Sequence, residues 1–394
     1  MRSAQVGEVS QQLRGVTFSK ADAIDRPSDG YVAVLTASNI QDGVLDTSSV
    51  TYVPAHKVSD RQIVQRHDVI VCASSGSLKV VGKAAQSDGQ FTGGFGAFLK
   101  VLRPGPDVDP RYFAHYFQTP SYRRIVSSLA AGANINNLKN EHLDSLVLPL
   151  PPLPEQRRIA AILDHADALR TKRRQVLAHL DSLASTAFLD LFGPPKTWPD
   201  RWTMTTIGDL STMVTYGTAS KAGESGAWPI LRMGNVTDDG HLDLYDLKYV
   251  DLEPQDEPKY TLRAGDMLFN RTNSKEKVGK AAVVRSSEKL AFAGYLVRVR
   301  FDDSATAEFV AAYLRSAHGA AVRRKLAKAA VNQANINASE MRRIPVADAP
   351  AGLKQQFEHI LAAIETQRQS VLAGLRTDDE LFASLQSRAF RGEL

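Results

Sequence analysis

The chain has 394 residues, 43% of them hydrophobic, and its 48 Lys and Arg exceed its 43 Asp and Glu, which gives a formal net charge of +5. This length predicts two or three domains, and the hydrophobic content excludes a wholly disordered chain. The single cysteine, Cys72, excludes a disulfide framework and a zinc site built on several cysteines. The mild positive charge permits a polyanionic partner without requiring one.

The start of the chain lacks the apolar segment of a signal peptide, and no uncharged apolar run approaches the roughly 18 residues of a membrane helix. We therefore expect a cytoplasmic protein with no membrane partner.

Short β-rich runs come first along the chain. Residues 31–35, 69–71 and 98–102 are bounded by Gly, Asp or Pro and are predicted to be strands. Residues 112–130 have a helical pattern, and so do residues 307–330 in the second half of the chain. Each half therefore begins with a mixed α/β globular domain.

A long helix is predicted to follow each globular domain. After the proline-rich run 149–154, apolar side chains recur about every 3.5 residues, the coiled-coil period, until Phe192-Gly193-Pro194-Pro195 ends the helix. The same spacing returns between Phe357 and Leu385. Each helix would be about 50 Å long at 1.5 Å per residue. The two helices are expected to pack against each other, and the alternative that each packs only on its own domain stays open.

The predicted fold class is α+β, with two similar mixed α/β domains separated by two long antiparallel coiled-coil helices in a pseudo-twofold internal repeat. The predicted boundaries are 1–149 for the first globular domain, 150–193 for the central helix, 194–349 for the second globular domain and 350–394 for the C-terminal helix.

The repeat itself has a period of about 200 residues, and its matches keep the same order in both copies. The matched segments are 6–9 with 207–210, 34–40 with 230–236, 67–71 with 265–269, 81–85 with 278–282, and 133–136 with 334–337. Five matches in register indicate one fold written twice.

The two copies agree in apolar and turn residues and differ in the polar residues between them. The largest difference precedes the shared Val-Gly-Lys-Ala-Ala and supplies the candidate DNA contacts. These are Ser74, Ser75, Ser77, Lys79 and Lys83 in the first copy, and Asn270, Arg271, Thr272, Asn273, Ser274, Lys275 and Lys277 in the second. Arg, Asn and Ser side chains distinguish base edges, and Lys side chains bind phosphates. The alternative is ordinary solvated surface polarity.

Further phosphate contacts are possible at Lys20, Lys221, Arg123, Arg124, Arg323, Arg324 and Lys325. For any one of these side chains taken alone, an ordinary surface charge is the favoured interpretation.

Sequence signatures of catalysis are missing. The segment from Gly76 to Ala84 resembles a P-loop, but its spacing is one residue too long and it lacks the Ser or Thr that would hold magnesium. The nine histidines form no metal-binding pair, and no Asn/Asp-Pro-Pro-Tyr/Phe tetrapeptide of an adenine methyltransferase is present. We therefore predict no catalytic residue and no metal site, which favours a binding scaffold.

The run Leu148-Pro149-Leu150-Pro151-Pro152-Leu153-Pro154-Glu155-Gln156-Arg157-Arg158-Ile159 resembles the hallmark of type I restriction-modification specificity subunits. So does the C-terminal Ser387-Arg388-Ala389-Phe390-Arg391-Gly392-Glu393-Leu394. The segment Asn270-Arg271-Thr272-Asn273-Ser274 is also similar to a common variant of their recognition domains. The resemblance covers essentially the whole chain.

This resemblance implies that each globular domain is a target-recognition domain for half of a split site in double-stranded DNA, with the paired helices as a ruler. Two modification subunits that methylate adenine would dock on the helical regions, and a motor-nuclease subunit would join them. The residues expected to serve docking are Pro151, Pro154, Gln156 and Gln356. The second copy lacks most of the proline-rich run, so docking there is expected to differ.

The resemblance places the cofactors, S-adenosylmethionine, ATP and Mg²⁺, on the partner subunits and none on this chain. Two other functions stay open at this point. A self-contained nuclease or methyltransferase would bind S-adenosylmethionine or cut DNA by itself. A protein-only coiled-coil adaptor would show no salt-dependent DNA binding.

Overall fold

A computed structural model describes residues 2–41, 43–130, 136–274, 277–330 and 333–394. The chain divides into two compact units. Unit 1 consists of Met1–Arg173 with Ala373–Leu394, and unit 2 consists of Arg174–Leu372. Within the described ranges, no helix is both long and apolar enough to cross a membrane.

The helices are α1 (Val6–Val9), α2 (Pro110–Tyr116), α3 (Pro120–Ala130), α4 (Asn140–Asp144), α5 (Leu153–Phe192), α6 (Ile207–Leu210), α7 (Glu257–Tyr260), α8 (Ser304–Arg315), α9 (Ala317–Leu326), α10 (Ala338–Arg342) and α11 (Ala351–Ala389). The strands of unit 1 are β1 (Ser3–Gln5), β2 (Ser10–Arg14), β3 (Tyr31–Leu35), β4 (Ile40–Gln41), β5 (Val44–Leu45), β6 (Thr51–Pro54), β7 (Val69–Cys72), β8 (Ser74–Ser75), β9 (Ala84–Gln86), β10 (Gly94–Phe95), β11 (Leu99–Pro104), β12 (Asn136–Asn137) and β13 (Val147–Pro149). The strands of unit 2 are β14 (Met204–Thr206), β15 (Ser211–Tyr216), β16 (Trp228–Leu231), β17 (Lys248–Val250), β18 (Met267–Asn270), β19 (Thr272–Asn273), β20 (Ala281–Val283), β21 (Ala291–Phe292), β22 (Leu296–Phe301), β23 (Lys328–Ala330), β24 (Gln333–Asn335) and β25 (Pro345–Ala347).

Unit 1 is built around a four-stranded antiparallel sheet with the strand order β2-β11-β7-β9. Strand β7 is buried along its whole length, so its sequence is a continuous apolar run. Val69 and Val71 pack in one core with helices α2 and α3 and the start of α5. Ile70 and Cys72 pack in a second core with the three-stranded sheet β10-β3-β6. The sheet is therefore covered on both faces.

Unit 2 repeats this architecture. Its four-stranded sheet has the order β15-β22-β18-β20, and its three-stranded sheet has the order β17-β16-β21. Met267 and Phe269 of β18 pack in one core with α8, the end of α5 and the start of α11, whereas Leu268 packs in another. The mixed α/β character and the duplication predicted from the sequence are both confirmed by these matching sheets.

Two of the predicted helices are each broken in the structure. The helix expected over 112–130 is α2 followed by α3, because Pro120 has no N–H to continue the helical hydrogen bonds and begins a new helix. The helix expected over 307–330 is α8 followed by α9, since Ser316 leaves the helical conformation, with a ψ of 156°, and its hydroxyl accepts a hydrogen bond from the N–H of Gly319. The last residues of that prediction form strand β23.

Helices α5 and α11 contact each other inside each unit. In unit 1, Arg170 Nε lies 2.6 Å from Asp379 Oδ1, and Arg158 Nη2 donates to the carbonyl of Leu394 at 2.7 Å. As residue numbers rise along α5, those of the partners fall, so these segments run antiparallel.

The same antiparallel order holds within unit 2. Arg368 Nη1 of α11 lies 2.9 Å from Asp181 Oδ1 of α5. Farther along α5, the rings of Phe188 and Phe192 lie 5.7 and 5.6 Å from the ring of Phe357, earlier in α11. The aromatic contacts join α5 and α11 to the core of this unit.

A buried aspartate anchors the turn before the central strand of each unit. Asp68 accepts hydrogen bonds from the Nε and Nη2 of Arg103, both at 2.8 Å, and Asp266 accepts from the same atoms of Arg300 at 2.7 and 3.2 Å. The preceding residue has a positive φ in both copies, 72° at His67 and 87° at Gly265. The histidine thus adopts a backbone conformation that favours glycine.

Candidate nucleic-acid interface

The candidate DNA-binding segment of unit 1 is the polar segment between strands β7 and β9. We call this segment, residues 73–82, the excursion of unit 1. Strand β8 pairs with β12, and the chain then passes through the exposed residues 76–79 before it returns at Gly82. Arg123 donates from Nη1 to the carbonyl of Val81 at 2.6 Å and from Nη2 to the carbonyl of Lys79 at 3.1 Å. The backbone is therefore held from one side, while Ser77 and Lys79 are exposed.

Glycine is required where this excursion returns to the sheet. Gly82 has a φ of 76°, and a Cβ placed on it would lie 2.5 Å from Val126 Cγ2. Its counterpart Gly279 has a φ of 78°, and a Cβ there would lie 2.6 Å from Arg323 Cδ. Any other residue would be strained and would clash at both positions.

In unit 2 the corresponding segment, residues 271–279, is held in the same way, and we call it the excursion of unit 2. Strand β19 pairs with β24, and β24 pairs with β23. Arg323 donates from Nη1 to the carbonyl of Val278 at 2.6 Å and from Nε to the carbonyl of Leu314 at 3.0 Å. The candidate contact Lys275 lies outside the described residues, whereas Lys277 is exposed with its Nζ 3.7 Å from Asp238 Oδ2.

These contacts correct the prediction for two of the basic residues. Arg123 and Arg323 bind backbone carbonyls beneath the excursions, so neither is a free phosphate-binding side chain. Burial lowers the pKa of Arg323 to about 10. The other cations proposed for phosphate contacts, Lys20, Lys221, Arg124, Arg324 and Lys325, are exposed.

Asn270 lies inside the protein. It is fully buried, and its Nδ2 donates to the carbonyl of Met233 at 3.1 Å. The N–H of Asn270 donates to the carbonyl of Lys280 and that of Cys72 to the carbonyl of Lys83, both at 2.8 Å. Asn270 therefore occupies the place of the core residue Cys72, and the structure does not present it to a nucleic acid.

Thr272 is also turned inward, with 6% of its surface exposed, and its Oγ1 accepts from Asn335 Nδ2 at 2.9 Å. Arg271, Asn273 and Ser274 are half-buried and reach the surface. In unit 1, Ser74, Ser75 and Lys83 are half-buried as well. The candidate DNA contacts thus divide into two groups: buried side chains that support the excursion from within, and side chains that a ligand at the surface can reach.

The match of 133–136 with 334–337 is out of register in the structure. The N–H of Leu138 donates to the carbonyl of Ala73 at 2.8 Å, and that of Ile336 donates to the carbonyl of Arg271 at 2.9 Å. Both side chains are fully buried at the same place in the fold. Ile336 therefore corresponds to residue 138 rather than 135, a difference of three residues, and residues 133–135 lie outside the described part.

Sequence reasoning missed two exposed aromatic residues beside the excursions. The carbonyl of Phe98 accepts from the N–H of Ala73 at 2.8 Å, and that of Tyr295 accepts from the N–H of Arg271 at 3.1 Å. The side chains are 67% and 53% exposed. Each follows a glycine-containing turn before a strand, but only the duplicated structure reveals that the two positions correspond.

Unit 1 also contains a polar cavity of about 520 Å³ beside its excursion, lined in part by Arg14, Lys100, Asn137 and Lys139. Lys100 donates from Nζ to the carbonyl of Leu138 at 2.7 Å, and burial lowers its pKa to about 8. Two exposed cations and an amide at the mouth suit an anionic or hydrogen-bonding ligand.

The predicted docking residues are divided between the interior and the surface. Gln156 is 1% exposed, accepts from the N–H of Asp109 at 2.7 Å and donates to the carbonyl of Pro151 at 2.8 Å. Pro151 is buried too, whereas Pro154 and Gln356 are exposed. Gln156 therefore fastens the start of α5 to the loop before α2 and is not available to another protein.

Three side chains of types that can bind a metal ion lie close together in unit 2, where the sequence predicted no metal site. Atoms of Asp181, Asp239 and His241 lie within 4.8 Å of one another. Arg368 lies 2.9 Å from Asp181, and His241 lies 3.1 Å from Asp181 and 3.5 Å from Glu365. The hydrogen bond from His241 lowers the pKa of Glu365 to about 2. The arrangement fits an ion-pair network, because the guanidinium already supplies the positive charge.

Comparison with known proteins gives a consistent result. A family model described as the type I restriction modification DNA specificity domain matches residues 2–179. The type I restriction enzyme EcoKI specificity subunit of Escherichia coli is 30% identical over 413 residues, which cover 99% of this chain and 88% of that protein. The StySPI specificity subunit of Salmonella potsdam is 29% identical over 411 residues, which cover 100% and 89%.

A solved structure agrees in fold. The type-I restriction-modification S subunit from M. genitalium superposes with a TM-score of 0.53 at 14% identity, covering 99% of this chain and 96% of that one. At this identity the likeness concerns the fold alone.

Proposed function

We propose that this chain, which belongs to the family of type I restriction-modification specificity subunits, reads a split sequence in double-stranded DNA, one half with each unit. The observation that carries the proposal is that the two excursions have the same backbone supports but carry different polar side chains. Arg123 and Gly82 in unit 1 correspond to Arg323 and Gly279 in unit 2 and hold the excursions alike. A rigid support with different hydrogen-bonding groups is what reading two different base sequences requires.

The side chains proposed to contact DNA are those open to a ligand. They are Ser74, Ser75, Ser77, Lys79 and Lys83 in unit 1 and Arg271, Asn273, Ser274 and Lys277 in unit 2. Lys275 stays in the proposal on its sequence position. Asn270 and Thr272 are proposed to support the excursion from within, because both are buried.

We further propose that the chain is non-catalytic and works with other subunits of a restriction-modification complex. Two modification subunits would bring S-adenosylmethionine and methylate adenine, and a motor-nuclease subunit would bring ATP and Mg²⁺. Exposed aliphatic side chains on α5 support docking there: within unit 2, Val176 and Leu183 are seven residues apart and are 43% and 55% exposed. An apolar stripe at this period suits packing of a partner helix.

The domain boundaries 1–149, 150–193, 194–349 and 350–394 remain part of the proposal, with α5 and α11 as an antiparallel spacer. The antiparallel contacts seen within each unit support this role. The helix length expected from the sequence, about 50 Å, would then limit the gap between half-sites to roughly 16 base pairs.

The proposal is tested by producing the chain with its modification subunits and mapping methylated adenines in the host DNA. A split motif that depends on this chain is expected. Replacing residues 271–277 by residues 73–80 should change the half read by unit 2 and leave the other half intact, and the reciprocal exchange should do the opposite. An unchanged motif in both exchanges would refute the assignment of the excursions as the reading elements.

The same experiment separates the alternatives. A protein-only adaptor would give an assembled complex without new methylation and without salt-dependent DNA binding. A self-contained enzyme would methylate or cut DNA with this chain alone.

A further inference from the structure

We propose that Arg271 reads a guanine in the half-site of unit 2, with its guanidinium positioned over the ring of Tyr216. This inference rests on the proposed function and adds a specific base to it. The Cζ of Arg271 lies 4.9 Å from the centroid of the Tyr216 ring. Stacking of a guanidinium on an aromatic face restricts it to one plane and costs none of its N–H donors.

Both partners of this stack are fixed in place. The N–H of Arg271 donates to the carbonyl of Tyr295 at 3.1 Å, and its carbonyl accepts from the N–H of Ile336 at 2.9 Å. The hydroxyl of Tyr216 accepts from the N–H of Ala338 at 2.9 Å, at the start of α10. The guanidinium is therefore oriented before any ligand arrives, which reduces the entropy lost on binding.

The guanidinium of Arg271 has donors to spare. Its Nε is buried without a hydrogen-bond partner among the described residues, as are Arg232 Nε, Arg298 Nε and Arg315 Nη1 in the same unit. What distinguishes Arg271 is that its guanidinium lies over the ring of Tyr216 and that its side chain reaches the surface. Arg300 and Arg323 in the same unit are bound to Asp266 and to backbone carbonyls. Because the side chain of Arg271 reaches the surface, a ligand can supply acceptors to its terminal nitrogens.

Guanine is the base that matches these donors. It presents two acceptors, O6 and N7, side by side in the major groove, and the planar fork of arginine binds them with two parallel hydrogen bonds. A phosphate would be served equally well by a mobile lysine, which needs no stacking partner. Asn273, two residues farther along the chain in β19, would lie near this contact.

Unit 1 has no equivalent of this stack. Ala73 occupies the place of Arg271, as shown by its hydrogen bond to the carbonyl of Phe98, and it is 2% exposed. Arg14 occupies the place of Tyr216 in the register of the sheet, since Arg14 pairs with Lys100 and Tyr216 with Val297. The guanine contact is therefore expected in one half of the recognised sequence only.

The test uses the complete complex and methylation mapping with four variants. The half of the motif that belongs to unit 2 is first assigned by the segment exchange described above. That half should contain an invariant guanine in the wild type. Arg271→Ala and Arg271→Lys should each lower the discrimination against other bases at that one position by about 5- to 150-fold, with the remaining positions unchanged.

Tyr216→Leu removes the stack and should relax the same position. The control is Lys289→Ala, which removes an exposed cation 5.8 Å from the Trp228 ring and should leave the motif as it is. Arg271→Lys keeps the positive charge and decides the question if the alanine variant fails to assemble.

Three results would overturn the inference: a unit 2 half-site without a guanine, full discrimination in Arg271→Lys, or weaker methylation at all sites with no relaxed position, which would indicate a phosphate contact. Complete absence of methylation that depends on the wild-type chain would instead overturn the proposed function.

Discussion

Replacing Phe382 by alanine is expected to destabilise unit 1 strongly, although the residue is far in sequence from the rest of that unit. Its side chain is 6% exposed and packs in the core that contains Ile159 and Leu163. The Cζ of Arg170 lies 4.3 Å from the centroid of its ring. Loss of a buried phenylalanine costs about 3–5 kcal/mol, of which the cation–π contact accounts for about 0.5–1 kcal/mol. This is a large part of the 5–15 kcal/mol that stabilises a typical domain.

Urea unfolding of the purified chain measures this effect. Circular dichroism follows both units, and tryptophan fluorescence follows unit 2 alone, because Trp198, Trp202 and Trp228 all belong to it. The unfolding midpoint of unit 1 should fall by about 1–2 M urea for an m-value of about 2.5–3 kcal/mol/M, the upper part of the usual range, as suits a unit of this size. Leu381→Ala is the matched control, since Leu381 is adjacent on α11 and 48% exposed. Equal midpoints for the two variants would refute the reasoning.

Two further changes follow from the buried polar contacts. Burial alone would raise the pKa of Asp164, but hydrogen bonds from His115 and Arg111 outweigh it and lower the pKa to about 2. The contribution of Asp164 to stability is therefore complete above about pH 4 and is lost as the pH falls toward 2. Asp164→Asn should therefore flatten the dependence of the unfolding midpoint on pH between 5 and 2, and an unaltered profile would contradict the ion pairing. Gln156→Ala should lower the free energy of unfolding by about 1–3 kcal/mol because it leaves buried backbone groups unpaired, whereas exposed Gln356→Ala should change it by less than about 0.5 kcal/mol. Unchanged stability of Gln156→Ala with loss of modification-subunit binding would restore a docking role to that side chain.

The elements that sequence predicted well are those whose signal is local. Strand β7 is an apolar run between turn residues, and α5 ends at Phe192, directly before Gly193, whose φ is 68°. The single helix predicted over 112–130 was wrong, although the signal for its break was local, since a proline such as Pro120 starts helices and does not continue them. The break at Ser316 had no such signal, because the apolar pattern runs on through both helices and a serine inside a helix is common.

The errors at the candidate interface arose where two copies of one fold carry different residues at the same place. Asn270 is polar and lies in a variable segment, yet it fills the position of Cys72 in a buried strand. The Asn-Ile-Asn match was out of register because identity favours the repeated letters, whereas the fold requires a large aliphatic side chain, Leu138 or Ile336, at one buried point. Hydrogen-bond partners identify such positions, and residue type alone does not.

The same holds for Gln156. In the sequence it stands in a proline-rich run beside exposed charges, which is typical of a binding surface. In the fold, Gln156 links α5 to the loop before α2 by accepting a hydrogen bond from the N–H of Asp109. The corresponding place at the start of α11 is occupied by Lys354, which is 8% exposed. A long polar side chain that satisfies backbone groups inside a junction cannot be distinguished from a surface residue without the structure.

The stretches of the chain that form each unit set the order in which the two units are completed during synthesis. Unit 2 is one stretch of sequence, 174–372, whereas unit 1 needs its last segment, 373–394. At about 5–20 residues per second, the first part of unit 1 waits roughly 10–45 s for the helix turn that carries Phe382. During that interval the apolar surface around Ile159 and Leu163 is uncovered and open to chaperones. A circularly permuted gene that begins with the codons for 373–394 would make unit 1 the first to be completed.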